Sequence, residues 1–288
     1  MKQLAIVSGK GGTGKTTITS LLAQTLDNKI MVDCDVDAAN LHLLLKPNII
    51  QSTDFYSGKK AAINPFKCTE CGRCEYVCRF DAVIRQPDGG YKIDDLSCNG
   101  CGACTITCRY EAITLENNLA GKFFISETEQ GNLVHAALGI AEDNSGKLVA
   151  RIREEAFVLA DENSIDLILI DGPPGIGCPV ISSITGVDLL LVVTEPSLTG
   201  LHDLKRLLKL AQGFKLPSVV MINKCDLNSD LCSQVEAFCR DQDIPIIASI
   251  PFEKKLVSMA HNKDVAFQTK AFNIIADSQK ELISRLNL

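Results

Sequence analysis

Short apolar runs separated by longer amphipathic ones recur along this chain, and their spacing predicts alternating strands and helices. Residues 1–8 read as a strand, 16–26 as a helix and 29–33 as a second strand. Farther along, 165–170, 189–193, 218–222 and 246–250 are apolar runs of strand length, with helical spacing over 202–212 and 230–240. Residues 145–160 place Leu148, Ile152, Ala156 and Leu159 on one helical side, and 271–288 do the same with Phe272, Ile275, Leu282 and Leu286. Residues 121–139 carry only short apolar stretches, around Phe123-Phe124-Ile125 and 133–138. Continuous apolar strands alternating with helices predict an α/β fold, a mainly parallel sheet covered by helices on both faces.

Two turns in that pattern carry chemistry. The first strand runs into Gly9-Lys10-Gly11-Gly12-Thr13-Gly14-Lys15-Thr16, which fits G-x-x-x-x-G-K-[ST]. Consecutive glycine amides can turn inward onto phosphate oxygens without a Cβ in the way, and the helix that follows faces the same anion with its positive end. Lys15 then reaches the β- and γ-phosphates, and the Thr16 hydroxyl takes a Mg²⁺ position.

The second feature is a duplication. Of the 13 cysteines, Cys68, Cys71, Cys74 and Cys78 are repeated 30 residues on as Cys98, Cys101, Cys104 and Cys108. Structural zinc and a disulfide framework are rival readings of paired cysteines. Zinc needs no strict triple with a distal fourth, and disulfides suit secreted chains, whereas the first strand begins at residue 1 and predicts no signal peptide. The run Cys-x-x-Cys-x-x-Cys-x-x-x-Cys resembles that of the bacterial ferredoxins. That resemblance implies two [4Fe–4S] clusters, one on Cys68, Cys71, Cys74 and Cys108 and the other on Cys78, Cys98, Cys101 and Cys104. The usual proline after the fourth cysteine is replaced by Arg79 and Arg109, and a cation beside each cluster raises its potential. The turn residues 86–90 join the two halves.

Lys10 inside the glycine loop makes it resemble the deviant Walker A of the MinD/ParA/Mrp superfamily of P-loop ATPases. The resemblance implies an ATP-sandwiched homodimer in which Lys10 crosses to the partner's nucleotide. It makes Gly9 through Thr16, with Thr17, the nucleotide loop, and Lys10, Lys15 and Asp35 the catalytic residues. Asp33-Cys34-Asp35 with Asn40 resembles switch I, where Asp35 positions the attacking water. Asp171 resembles the Walker B aspartate that holds Mg²⁺ with Thr16, and Gly172-Pro173-Pro174-Gly175 the switch II turn. Asn223 and Pro251 fall where that family contacts the base. Asn223-Lys224-Cys225-Asp226 also fits the guanine-reading signature of GTPases, with Asp226 accepting from the base, so ATP and GTP both remain open there.

On this reading 1–60 and 119–288 form the nucleotide domain, and 61–118 is an inserted 2[4Fe–4S] ferredoxin-like domain. A chain of 288 residues with 46% hydrophobic content has room for both. With 29 Lys+Arg against 35 Asp+Glu and no basic run, nucleic acid is disfavoured as a partner. No apolar stretch reaches the roughly 18 residues of a membrane span. In 271–288, Lys280 and Arg285 are offset by Asp277 and Glu281, which predicts a helix packed on the body and no membrane contact. Free thiols fit a reducing cytoplasm.

Five cysteines lie outside the runs. Cys232 and Cys239 share a helical face and read as core, Cys225 lies within the base motif, and Cys34 faces away from its flanking aspartates. Cys178 reads as a buried thiol on the helix after switch II, although the nitrogenase iron protein has a cluster ligand at a similar offset. The functions implied are ATP-driven electron transfer to a redox or metallocofactor partner, or assembly and carriage of Fe–S clusters. Spatial positioning is a weaker third, because it leaves the clusters without a purpose.

Overall fold

A computed structural model describes residues 1–140, 142, 145–256 and 267–288. The described chain divides into two compact units. One comprises Met1–Thr53, Phe123–Ala137 and Ser145–Leu288, and the other comprises Asp54–Lys122 and Leu138–Asn144. The second is wider than 61–118, because the chain passes between the units within two 16-residue strands, β3 (Asn48–Ile63) and β6 (Ile113–Thr128).

The first unit is the α/β body. Its strands β1 (Lys2–Ser8), β2 (Lys29–Asp33), β8 (Leu167–Pro174), β9 (Leu189–Thr194) and β10 (Ser218–Asn223) are almost wholly buried. Edge strand β11 (Ile246–Ile250) and β7 (Gly131–Leu138) are buried in part. The sheet order is β11-β10-β9-β1-β8-β2-β7-β6-β3, and every pairing from β11 through to β7 is parallel. β6 and β7 are joined by the two residues 129–130, a connection that only antiparallel neighbours allow.

Apolar residues on one side of this sheet, among them Leu4, Ile6, Leu169, Leu191 and Met221, close against Ile18, Leu21 and Leu22 of α1 (Lys15–Thr25). Ala271, Ile275, Leu282 and Leu286 of α9 (Lys270–Leu286) join the same core, so the last helix packs on the body as its spacing predicts, with Phe272 half-buried. Each such leucine or isoleucine contributes about 1.5–3 kcal/mol on burial.

Other helices include α5 (Ser145–Glu162), α6 (Cys178–Ile184), α7 (Leu198–Gly213) and α8 (Ser229–Asp241). On α5 the buried positions are Leu148, Val149, Ile152, Ala156 and Ala160. Leu159 is only half-buried, because the small Ala160 takes the place against the core. Cys232 and Cys239 are buried on α8, where burial pushes both thiols up to about 11.

The second unit holds a short hairpin, β4 (Val83–Arg85) with β5 (Tyr91–Ile93), and two one-turn helices, α3 (Arg73–Val77) and α4 (Ala103–Thr107). The 30-residue repeat extends to the backbone. Gly72 and Gly102 have φ 75° and 77°, and Asp81 and Glu111 have φ 51° and 49°. Asn64 N–H donates to Ala112 O as Asp94 N–H does to Ala82 O, both at 2.7 Å.

Candidate functional site

Sheet order builds the site. β1, β8 and β2 are adjacent, so the loop after β1, Asp171 on β8 and Asp33 at the end of β2 meet at the carboxyl edge, with Asp171 in register with both Ile6 and Asp33. The loop enters α1 at Gly14, whose φ of 90° and whose closeness to Asn223 exclude a side chain: a Cβ there would lie 2.2 Å from Asn223 Nδ2. Residues Gly11 to Thr17 line an open cleft together with Asp35, Asn40 and Pro174.

Lys15 is buried and donates to Asp171 Oδ1 at 2.7 Å and to the Thr16 hydroxyl at 3.2 Å. The Thr19 hydroxyl donates to the same Asp171 oxygen at 2.8 Å. Asp171 Oδ2 and Thr13 Oγ1 are buried without a hydrogen-bond partner. An orphaned carboxylate oxygen on a residue that shares the Lys15 ammonium with the Thr16 hydroxyl fits a divalent cation, so Asp171 and Thr16 suit Mg²⁺ as donors.

The two switch aspartates differ. Asp33 is fully buried and accepts from Asp35 N–H and Leu41 N–H, both at 3.1 Å, which fixes the backbone between them. Burial first, then the neighbouring Asp171 carboxylate, pushes its carboxyl up to about 7. Asp35 is half-buried and faces the cleft, and burial raises its carboxyl as well. Cys34 between them is completely buried, and burial drives its thiol far upward.

Lys10 does not line this cleft. Its ammonium pairs with Glu195 Oε1 at 2.6 Å and donates to Thr199 Oγ1 at 3.1 Å and Ser197 Oγ at 3.4 Å. Glu195 also pairs with Lys224 at 2.9 Å, and Lys224 donates to Gly12 O at 2.8 Å. Burial alone would raise Glu195, but the two ammoniums hold its carboxyl below the usual range. Sequence reasoning passed over Glu195; its one signal is an acid directly after the buried strand β9.

The base-site residues also lie outside the cleft. Asn223 donates to Thr13 O at 2.7 Å and so braces the glycine loop. Asp226 accepts from Phe252 N–H at 2.7 Å, which ties it to the turn containing Pro251. β8 continues through Pro174, with Ser8 in register with Pro174, so the switch II sequence begins as strand and turns only at Gly175, φ 94°. Cys178 opens α6 and is exposed, contrary to the buried thiol predicted, because the Gly175-Ile176-Gly177 turn carries the helix start outward.

In the cysteine unit, Cys68, Cys71, Cys74 and Cys108 line one small cavity and Cys78, Cys98, Cys101 and Cys104 another. All eight are free thiols. Backbone amides turn toward two of them, Ala112 N–H to Cys108 Sγ at 3.4 Å and Ala61 N–H to Cys98 Sγ at 3.5 Å. Burial raises the equivalent Cys74 and Cys104, whereas a hydrogen bond from the Arg73 backbone lowers exposed Cys71. Among the described residues no three His, Cys, Asp or Glu side chains gather around a single ion position. Each cavity nevertheless gathers the four thiols of one quartet, and such a donor set would fit an Fe–S cluster.

Comparison with known proteins agrees with the nucleotide half of this picture. The chain is 33% identical over 290 residues to the uncharacterized protein MJ0578 of Methanocaldococcus jannaschii, covering 99% of this chain and 96% of that one. Its fold is similar to a Cyanothece McdA(D38A)–ATP complex, with TM-score 0.59, 17% identity and coverage of 100% and 97%. It is also similar to the septum site-determining protein MinD complexed with Mg-ADP from Pyrococcus horikoshii, with TM-score 0.57, 17% identity and coverage of 98% and 95%. Among the described residues no helix is long and apolar enough to cross a membrane. Residues 4–265 match the CobQ/CobB/MinD/ParA nucleotide binding domain, and the chain belongs to that family.

Proposed function

We propose that the chain is a Mg-ATP-dependent ATPase acting as a homodimer. Its cysteine unit, on this reading, holds two [4Fe–4S] clusters that pass electrons to a redox or metallocofactor protein. The observation that carries the second half is that the two ligand quartets implied by the ferredoxin resemblance are the two that share cavities. Bound there, the clusters supply one-electron redox chemistry.

The nucleotide half is supported by the family and by the free valences of the cleft. Lys15, now on Asp171 Oδ1, would reach the β- and γ-phosphates, and Asp171 through its unpartnered Oδ2, with Thr16, would hold Mg²⁺. Asp35, which lines the cleft, orients the attacking water. Lys10 leaves Glu195 to reach the nucleotide of the second copy. Positioning and charge neutralisation carry phosphoryl transfer, so these lysines dominate the rate. Engagement of Asp226 with Phe252 favours ATP over GTP, since the carboxylate that would read guanine already holds a turn.

Exposure of Cys71 and Cys101 favours a second reading, cluster carriage, because exposed ligands are open to an acceptor. Hydrolysis measured with the clusters oxidised and reduced tests the coupling: a change in rate is expected, and indifference contradicts it. Lys10→Ala is expected to cost roughly 10²–10³-fold in kcat while iron stays in place; full activity contradicts the dimer. Movement of iron to an acceptor, in place of reversible reduction at constant iron, selects carriage.

A further inference from the structure

Residues 30 apart occupy equivalent places in the cysteine repeat, so its two cavities can be compared side chain by side chain. The cavity of Cys68, Cys71, Cys74 and Cys108 is also lined by Arg73, Tyr91 and Tyr110. Their repeat counterparts Ala103, Ala61 and Phe80 line the cavity of Cys78, Cys98, Cys101 and Cys104. At all three positions a cationic or phenolic side chain on one side stands where a methyl or a phenyl group stands on the other, while the remaining polar pair, Thr69 and Asn99, is polar in both.

Other polar features do not cancel the difference. Each cavity receives one backbone N–H on a cysteine sulfur, at Cys108 and at Cys98. Arg79 and Arg109 follow Cys78 and Cys108 and so fall one to each. Glu75, the counterpart of Thr105, does not line the cavity and accepts the Tyr91 hydroxyl at 3.0 Å. Beside Cys98, Lys60 is paired with Glu142 at 2.6 Å, and Lys59 lines an adjoining polar cavity, not the one the four cysteines share.

Positive charge and polar surroundings stabilise the reduced, more negative state of an Fe–S group, and apolar surroundings disfavour it. We propose that Arg73, with Tyr91 and Tyr110, gives the site of Cys68, Cys71, Cys74 and Cys108 the higher reduction potential of the two. A chain carrying a single electron therefore holds it there. The inference rests on the reading that both quartets hold [4Fe–4S] clusters.

The test is a redox titration of the full chain, purified anaerobically and poised with dithionite, followed by electron paramagnetic resonance. Two one-electron waves are expected. Arg73→Ala should move the upper wave down and leave the lower one in place, and Ala103→Arg should move the lower wave up. Coincident waves, or a lower wave that moves in Arg73→Ala, overturn the assignment. Should Arg73→Ala lose iron, Tyr91→Phe and Tyr110→Phe keep the ring volumes and are expected to move the same upper wave to a smaller extent; movement of the lower wave overturns the assignment equally. Acid-labile sulfide is measured in every sample: its absence removes the cluster reading itself, while full sulfide with coincident waves removes only the assignment.

Discussion

The two units of this chain are held together by different means. The α/β body closes a core running from α1 across β1, β8, β9 and β10 to α9. Among the described residues the cysteine unit has a small core cluster, Ala61, Cys74, Val83, Ile93 and Ile113, with Ile63, Tyr91, Leu115 and four further cysteines packed against it. A core that small does not offset the conformational entropy of its segment, and small domains of this kind depend on metals or crosslinks. The body folds on apolar burial; on the proposed reading, the cysteine unit folds on what its thiolates bind.

Chelation with mild oxidation breaks that comparison most strongly. Amides of β4, β5 and the start of β6 are expected to lose hydrogen-exchange protection entirely while those of β1, β8 and β9 keep theirs. Retained protection across β4 and β5 in metal-free chain would show that the small core suffices.

A second test acts on the body alone. His135 is buried, stacks on His42 and Phe124, and meets the Ser126 hydroxyl at 3.0 Å; burial, then His42, lowers its imidazole to about 4. The unfolded chain takes up this proton near 6.5 and the folded chain only near 4. Stability is therefore full above pH 6.5 and declines by on the order of 3 kcal/mol as pH falls to 4. The double variant Ser126→Ala, His135→Phe should lose that slope in urea titrations of the body; an unchanged slope contradicts the assignment.

Gly14→Ala sets a Cβ 2.2 Å from Asn223 Nδ2 at a positive φ. Nucleotide affinity should fall roughly 10–100-fold, the cost of about 1–3 kcal/mol of backbone strain, with the iron content untouched. Calorimetry with Mg-ATP checks it, and unchanged affinity refutes the tight cradle. The smallest effect is Asn228→Ala, which removes the α8 cap accepting Leu231 N–H at 2.9 Å and should cost about 1 kcal/mol.

Much of the body was legible in sequence because buried parallel strands are continuous apolar runs and the glycine loop has a fixed spacing. β3 escaped notice for the opposite reason. Residues such as Ile49, Ile50 and Tyr56 are exposed along it, so burial never imposes an alternation to read. Glu195 was hidden because its partners, Lys10 and Lys224, are remote in sequence and meet it only through strand order. Cys178 was misplaced because a helical cysteine after an apolar strand reads as core, whereas two glycines turn it outward.

The central claim is that one polypeptide joins a nucleotide-binding body to a paired Fe–S unit. Iron, zinc and acid-labile sulfide measured on anaerobically purified chain test it most directly. The account predicts about eight iron and eight sulfide per chain, falling to about half when Cys74 alone is replaced by alanine. Zinc in their place, or iron without sulfide, would contradict it.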